Sequence, residues 1–279
     1  MSRLLQEARE LGIVQISVTP PTGLHIELEE QLEARFGLEE VQVIDVEAGR
    51  SAEETRRQIG AAAAGYLART VQPGESIGIA WGTTLDAMVR AMVPFPCDGV
   101  RIVQMLGGIG RPDAESYAAA LVRRLAQLLG AAPVLFPVPG IVATAEVRDV
   151  LRNDPHVQAA LRYFDRLDTV FVGIGSIASN PVLNDGHSLP PGTHAALVEA
   201  GAVGDIALRF FDAAGAPVRS SLDERILGIT AEQLHKAPRV VAVAGGPEKT
   251  DAIRAALKSE MIDVLITDQE TAESLAERD

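Results

Sequence analysis

Three apolar, β-rich runs in this chain each end at a turn that contains glycine. The runs and their turns occupy residues 77–80 and 81–84, residues 170–172 and 173–176, and residues 240–244 and 245–249. When a parallel strand leads into a helix through such a turn, the unpaired N–H groups and the positive dipole end of the helix lie at the carboxyl edge of the sheet. Phosphate and other anions bind at such helix starts. The pattern therefore predicts an anion pocket built from three turns.

Short apolar segments alternate with amphipathic ones along most of the chain. The predicted strands cover residues 41–46, 76–80, 100–105, 133–136, 169–173, 205–211, 239–244 and 263–267, and the clearest predicted helices cover residues 52–70, 85–92, 117–129 and 250–258. This alternation is typical of crossover units that build a parallel sheet. We predict an α/β fold with a mostly parallel sheet covered on both faces, in one main domain with a small inserted or terminal subdomain.

The composition excludes several classes of protein. The chain has 279 residues, of which 47% are hydrophobic, and this is enough for a large core. Its single cysteine, Cys97, excludes internal disulfides, no His or Cys pair has metal-ligand spacing, and no apolar run is long enough to span a bilayer. We predict a cytoplasmic protein without metal, cofactor or membrane contact. The net charge of −13 argues against direct binding of nucleic acid by this chain.

The first turn offers hydroxyl and backbone groups to an anion. Gly82 permits close approach of the backbone. Thr83 and Thr84 either bind phosphate or cap the helix that is predicted to start near Leu85. Asp86 would repel an anion if it pointed inward, so we expect its side chain to face away from the pocket.

Lys249 is the candidate anion-binding residue of the third turn. With Gly246 at the N-cap and Pro247 at the first helical position, Lys249 falls in the opening turn of a helix. First turns favour acids over bases because of the helix dipole. A lysine there is expected where a bound anion offsets its charge, and a solvated lysine is the alternative.

Further candidate ligand residues lie at the ends of predicted strands, and each has a structural alternative. They are Gly173, Gly175, Ser176, Gln104, Gly107 and Asp205. Two glycines after a strand either let a ligand approach or permit tight helix packing. Gln104 and Asp205 either bind ligand hydroxyls or hold the fold together.

Two segments are candidates for catalysis. Cys97 has no glycine-rich elbow and no nearby histidine, so we predict that it is packed or incidental. Asp185 and His187 would be an acid–base pair, but they lie in a polar run, residues 179–188, that has turn chemistry throughout. We interpret this run as a mobile flap over the pocket, with a plain solvent loop as the alternative.

Residues 2–12 have the amphipathic pattern of a short helix that ends at Gly12. Together with residues 13–19 and 32–46, this segment resembles the junction between a helix-turn-helix and the effector domain in the SorC family of bacterial sugar-responsive regulators. The resemblance continues through residues 78–84, 173–176, 201–205, 226–229 and 245–249, in that order.

The resemblance implies a fold like that of sugar-phosphate isomerases and glucosamine-phosphate deaminases, and a domain that senses a sugar or phosphosugar without converting it. By resemblance, Thr83, Thr84 and Lys249 would hold the phosphate and Asp205 would contact the sugar. Glycolytic-gene repressors of the family have an arginine for a second phosphate where this chain has Leu106. A sugar monophosphate or an unphosphorylated sugar is therefore expected.

The resemblance also implies an organisation and a set of partners. Residues 1–19 would be the remnant of the recognition helix with its connector, and residues 20–279 would be the effector-binding and oligomerisation domain. Operator DNA would be bound only through the missing part of the helix-turn-helix, and the effector domain would form homodimers or tetramers.

An enzyme on the same scaffold is the competing hypothesis. A sugar-phosphate isomerase or deaminase would use Asp185 or His187 to move a proton and Lys249 to hold the phosphate. Residues 173–178 contain no carboxylate where such enzymes would place their acid–base loop. We therefore favour the regulator.

Overall fold

The computed structural model describes residues 25–46, 51–109, 117–178, 189 and 192–277. Three predictions concern segments outside these residues. They are the N-terminal helix at residues 2–12, the domain boundary at residue 19, and the flap at residues 179–188 with its Asp185 and His187.

The strands form one large parallel sheet and one small antiparallel sheet. In chain order they are β1 Glu40–Ile44, β2 Ser76–Ile79, β3 Arg101–Gln104, β4 Ala132–Val134, β5 Thr169–Val172, β6 Gly175–Ser176, β7 Ala202–Ile206, β8 Arg209–Asp212, β9 Arg239–Val243 and β10 Val264–Asp268. The large sheet has the order β1-β10-β9-β5-β2-β3-β4, and all its neighbouring strands are parallel. The predicted parallel α/β fold is confirmed.

The helices follow the predicted alternation. They are α1 Ile26–Phe36, α2 Ala52–Thr70, α3 Thr83–Ala91, α4 Tyr117–Leu129, α5 Ala145–Arg152, α6 Pro155–Leu161, α7 Thr193–Glu199, α8 Ala231–Lys236, α9 Thr250–Lys258 and α10 Gln269–Ala276. The bounds of α2 and α9 are those that the sequence predicts, and so is the end of α4 at Leu129. In α2 the start is fixed locally, because Ser51 and Glu54 form a reciprocal capping box.

The central strands are covered on both faces. Every residue of β2, β5 and β10 is buried. Since successive side chains of a strand point to opposite faces, complete burial requires packing on both sides of the sheet. Cys97 is partly buried and packs against this core, which confirms that it is a packed residue.

The order of the strands reverses next to β2. The chain runs from β2 through β3 to β4 on one side and then returns to β5 on the other side of β2. In open α/β sheets, ligands bind outside the carboxyl ends of the strands at such a switch point. Because the strands are parallel, the turns that follow β2, β5 and β9 all lie at this edge.

A small subdomain is inserted between β5 and β9. Its sheet has the order β6-β7-β8 and is antiparallel. A second apolar cluster, which includes Leu197, Leu208 and Phe210, packs around it. This insertion corresponds to the small subdomain that the sequence predicts.

The prediction of one strand over residues 205–211 is wrong, because Ala207 and Leu208 form a tight turn between β7 and β8. Their φ values are 51° and 62°. Such left-handed values are rare for residues other than glycine, and a two-residue hairpin turn requires them. The Asp205 Oδ2 accepts a hydrogen bond from the Leu208 N–H at 3.0 Å, and the Leu208 side chain is buried. This local hydrogen bond and the burial of Leu208 offset the strain.

Helices α2 and α3 pack closely at Gly60, where a Cβ would lie 2.6 Å from the Met88 backbone nitrogen. A Cβ at Gly65, also on α2, would meet nothing within 4 Å. We expect Gly60→Ala to lower the free energy of unfolding by about 1 to 3 kcal/mol, because the two backbones must separate. Gly65→Ala should raise it by up to about 1 kcal/mol, because alanine favours the helix. Urea unfolding measures both, and equal effects would contradict the close packing.

Candidate functional site

Lys249 joins the turns that follow β9 and β5. Its Nζ donates a hydrogen bond to the carbonyl oxygen of Ile174 at 3.2 Å. Ile174 lies in the turn after β5, and β5 is the strand between β9 and β2. The ammonium group therefore extends from its own turn to the turn after β5, the middle one of the three turns along the edge.

The turn after β2 leads directly into α3. The helix begins at Thr83, and Gly82 is its N-cap with a φ of 154°. No side chain caps the helix, so the expectation that Thr83 or Thr84 caps a helix starting near Leu85 is wrong. Both threonines lie in the first helical turn, where Thr83 is exposed and Thr84 is buried. The N–H groups of this turn are suited to an external acceptor such as phosphate.

Asp86, also in the first turn of α3, is directed away from the start of the helix. Its Oδ2 accepts a hydrogen bond from Arg90 Nε at 2.5 Å. Arg90 lies one turn further along α3, so the orientation expected for Asp86 is confirmed. The ion pair also reduces the repulsion that this carboxylate would exert on an anion.

The turn after β9 has the predicted caps. Gly246 is the N-cap with a φ of 101°, and Pro247 is the first residue of a 3₁₀ turn, Pro247–Lys249, that leads into α9. Glycine adopts this positive φ without steric cost. Lys249 is therefore held at the start of a helical segment, as the sequence predicts.

Lys249 is half-buried, and burial lowers its pKa because desolvation disfavours the charged ammonium. Glu248 and Asp205 act in the opposite direction, whereas the positive charge of Arg56 lowers the pKa further. Among the described residues, the one hydrogen bond of the ammonium goes to the neutral Ile174 carbonyl. A desolvated cation of this kind would gain stabilisation from a bound anion.

The turn after β5 brings further predicted residues to Lys249. Gly175 pairs with Asp205 across β6 and β7, so the carboxylate lies beside this turn and acts on the Lys249 charge. Ser176 and Asp205 are each only 6% exposed. At Gly173 a Cβ would meet nothing within 4 Å, so tight packing does not require glycine there. The packing alternative for Gly173 is therefore weakened.

Gln104 and Gly107 have structural partners. The Gln104 side chain donates to the Leu106 carbonyl at 2.8 Å and accepts from the Phe136 N–H at 3.2 Å. A Cβ at Gly107 would lie 2.6 Å from the backbone nitrogen of Gly140. Both residues thus fit the structural alternative, and a ligand role for them is not needed to explain their presence.

An open cleft of about 970 Å³ lies between α2 and α3 beside Thr83. A volume of this size accommodates a small molecule. Six charged side chains line it: Glu53, Glu54, Arg56, Arg57, Asp86 and Arg90. Within the described ranges, no group of three or more His, Cys, Asp or Glu is arranged to hold a metal ion, and no helix is long and apolar enough to cross a membrane.

A family model for a sugar-binding domain matches residues 21–277 of this chain. The chain belongs to this sugar-binding domain family. The deoxyribonucleoside regulator of Bacillus subtilis is 31% identical over 281 residues, an alignment that covers 99% of this chain and 87% of the relative. The erythritol catabolism regulatory protein EryD of Brucella abortus is 32% identical over 277 residues and covers 98% and 86%.

A solved structure supports the same assignment. The full-length sorbitol operon regulator SorC of Klebsiella pneumoniae aligns with a TM-score of 0.84 and 30% identity, over 99% of this chain and 88% of that one. The predicted resemblance to the SorC family is confirmed. This chain is the sugar-binding domain of a sugar-responsive transcriptional regulator.

Sequence reasoning missed the residues that hold the Lys249 turn of this sugar-binding domain in place. The Gly246 N–H donates to Asp268 Oδ2 at 2.8 Å and to Thr271 Oγ1 at 2.9 Å. Asp268 also caps α10, since its Oδ1 accepts from the Thr271 N–H at 3.0 Å. An aspartate at the end of an apolar run is a typical N-cap signal, but its contact with Gly246 is not visible in the sequence.

Proposed function

We propose that this sugar-binding domain binds a sugar monophosphate at the carboxyl edge of the main sheet. The phosphate would lie between the first turn of α3 and Lys249, with Thr83 and Thr84 supplying hydroxyls and backbone N–H groups. The observation that carries this proposal is the desolvated Lys249 ammonium, which extends to the turn after β5, the neighbour of the strand that leads into α3. A phosphate there would pair with both the cation and the helix dipole.

The sugar would lie against the β5 turn and the small sheet. Gly173 leaves space for a ligand beside the backbone, the neighbouring Gly175 pairs with Asp205, and Ser176 and Asp205 supply polar side chains near Lys249. Asp205 holds the β7–β8 turn with one oxygen. Its carboxylate would also accept a hydrogen bond from a sugar hydroxyl.

The sugar phosphate would act as a signal, and the domain would release it without chemical conversion. Named relatives of the chain are transcriptional regulators. Asp205, the carboxylate that we place beside Lys249 on the small sheet, already accepts a hydrogen bond within the β7–β8 turn. Ligand binding would shift the population between assemblies that bind and do not bind operator DNA. We propose that the regulator works in the cytoplasm as a homodimer or tetramer and contacts DNA through a separate helix-turn-helix.

A thermal-shift screen of pentoses and hexoses against their monophosphates tests the proposal. A sugar phosphate that binds the native state should raise the melting temperature, whereas its parent sugar should have a smaller effect. Each stabilising compound is then incubated with the domain and analysed by NMR. Recovery of the compound unchanged is expected. Its conversion to product would establish an enzyme, and stabilisation by parent sugars alone would overturn the phosphate site.

A further inference from the structure

We propose that Arg56 is a second cationic residue of this site and that it makes the site select a phosphate dianion over an uncharged sugar. The proposal rests on the proposed function, because it concerns the same pocket. The proposal adds a residue on α2 to the pocket. This helix follows β1 and is not part of the three turns from which the pocket was predicted.

The packing of α2 places Arg56 at the carboxyl edge of the sheet. Three residues further along the helix, Ile59 lies against the β9 turn, since a Cβ on Gly245 would be 2.5 Å from Ile59 Cδ1. Four residues further, Gly60 lies against α3. Residues three and four apart share a helix face. Because α2 follows β1 and starts at the carboxyl edge, Arg56 lies one turn nearer the pocket than these contacts.

Arg56 is positioned between the two proposed phosphate contacts. It lines the cleft beside α3 together with Thr83. On the other side, through Ile59, its helix packs against the β9 turn that carries Lys249, and the charge of Arg56 adds to the lowering of the Lys249 pKa that burial causes. Like-charge neighbours of this kind are unfavourable unless a shared counter-ion lies between them.

Two of the three acidic residues of the cleft have other partners, and the third, Glu53, is exposed. Glu54 belongs to the capping box with Ser51, and Asp86 pairs with Arg90. Within the described residues, Arg56 is half-buried and forms neither an ion pair nor a hydrogen bond. A guanidinium group in this state suits the oxygens of a phosphate, which it binds through two parallel N–H groups.

The charge of the ligand follows from this pair of cations. Asp205 and Glu248 both favour the charged form of Lys249, whereas Arg56 has no ion-pair partner among the described residues and would stay unpaired if the ligand were a neutral sugar. A phosphate dianion between Arg56 and Lys249 would relieve their repulsion. The pocket therefore favours a phosphorylated ligand over its uncharged parent.

The test uses inorganic phosphate as the probe and a neighbouring arginine as the control. Arg57 is on the same helix, lines the same cleft and is exposed. We expect Arg56→Gln to weaken phosphate binding about five- to twentyfold, as for loss of one charged hydrogen-bonding group. The Kd of Arg57→Gln for phosphate should stay within about twofold of that of the unaltered chain. Arg56→Lys keeps the charge but loses the two parallel N–H donors, so its Kd should lie between those of Arg56→Gln and the unaltered chain. Calorimetric titration gives the Kd values.

The outcomes separate this inference from the proposed function. If Lys249→Met loses phosphate binding while Arg56→Gln binds as tightly as the unaltered chain, Arg56 does not bind the phosphate. The proposed phosphate site at Lys249 is then retained. If the unaltered chain does not bind phosphate, both ideas are overturned. Thermal unfolding without ligand should show Arg56→Gln to be at least as stable as the unaltered chain, because the repulsion with Lys249 is removed.

Discussion

Replacing Lys249 with methionine is expected to weaken the binding of a sugar monophosphate by a factor of ten to a hundred or more. A hydrogen bond between a charged donor and a charged acceptor contributes about 1.5 to 3 kcal/mol, and each 1.4 kcal/mol corresponds to about tenfold in Kd. Methionine keeps the length and apolar stem of the side chain, so the change isolates the ammonium group. Calorimetric titration with a sugar phosphate found in the thermal-shift screen measures the loss.

The same variant should be as stable as the unaltered domain, or more stable, when no ligand is present. The pKa of Lys249 is lowered in the folded state by burial. The folded state therefore holds this proton less tightly than the unfolded state, and the charged lysine destabilises the fold at neutral pH. This penalty is relieved as the pH rises from the lowered pKa towards the ordinary value of 10.5. Urea unfolding of Lys249→Met should lack this alkaline gain in stability.

Lys236 provides the control for the charge change. It is exposed on α8 and pairs with Glu232 one turn away, at 2.7 Å. We expect Lys236→Met to leave the Kd of the sugar phosphate within about twofold, because exposed ion pairs contribute little and this one is on another helix. If Lys249→Met bound as tightly as Lys236→Met, the phosphate would have to lie elsewhere.

The fold was predictable where local signals agree with the tertiary structure. Helices α2 and α9 have their predicted bounds because amphipathic spacing specifies them, and the start of α2 is also fixed by a capping box. The turn between β7 and β8 was not predictable, because Ala207 and Leu208 carry no turn signal in the sequence. Their left-handed conformation is held by Asp205 and by burial of Leu208, and these are contacts that only the folded chain provides.

The candidate site was predictable where a turn is defined by adjacent residues. Gly246 and Lys249 have the positions that the sequence predicts for their turn, whereas the helix after Gly82 starts at Thr83 and lacks the predicted threonine cap. Gln104 is different, because its ligand and structural alternatives depend on a partner, Phe136, that lies 32 residues away. Arg56 was missed for the same reason, since only the packing of α2 brings it to the edge of the sheet.

Asp268→Ala should lower the free energy of unfolding by about 3 to 4 kcal/mol. The side chain is 2% exposed and accepts hydrogen bonds from the Gly246 N–H, the Thr271 N–H and the Thr271 hydroxyl. The substitution removes an N-cap, with a typical cost of about 1 kcal/mol, and leaves buried donors with poorer partners at about 1 to 3 kcal/mol each. Urea unfolding monitored by circular dichroism measures the loss.

Asp154→Ala is the matched control. Asp154 is also an N-cap, of α6, and accepts from the N–H groups of His156 and Val157. It is exposed, so we expect its loss to cost only about 1 kcal/mol. An equal effect of the two substitutions would mean that Asp268 acts as a cap and nothing more.

Asp268→Asn separates capping from the positioning of the Lys249 turn. The amide has one acceptor oxygen, so it can serve the Thr271 N–H or the Gly246 N–H, but its NH₂ group must then face the other donor. We expect it to be more stable than Asp268→Ala and yet to bind the sugar phosphate several-fold more weakly than the unaltered domain. Weaker binding in a folded variant would show that Asp268 positions the turn that carries Lys249. Unchanged affinity would show that the turn keeps its geometry through Gly245, Pro247 and the Thr271 hydroxyl alone.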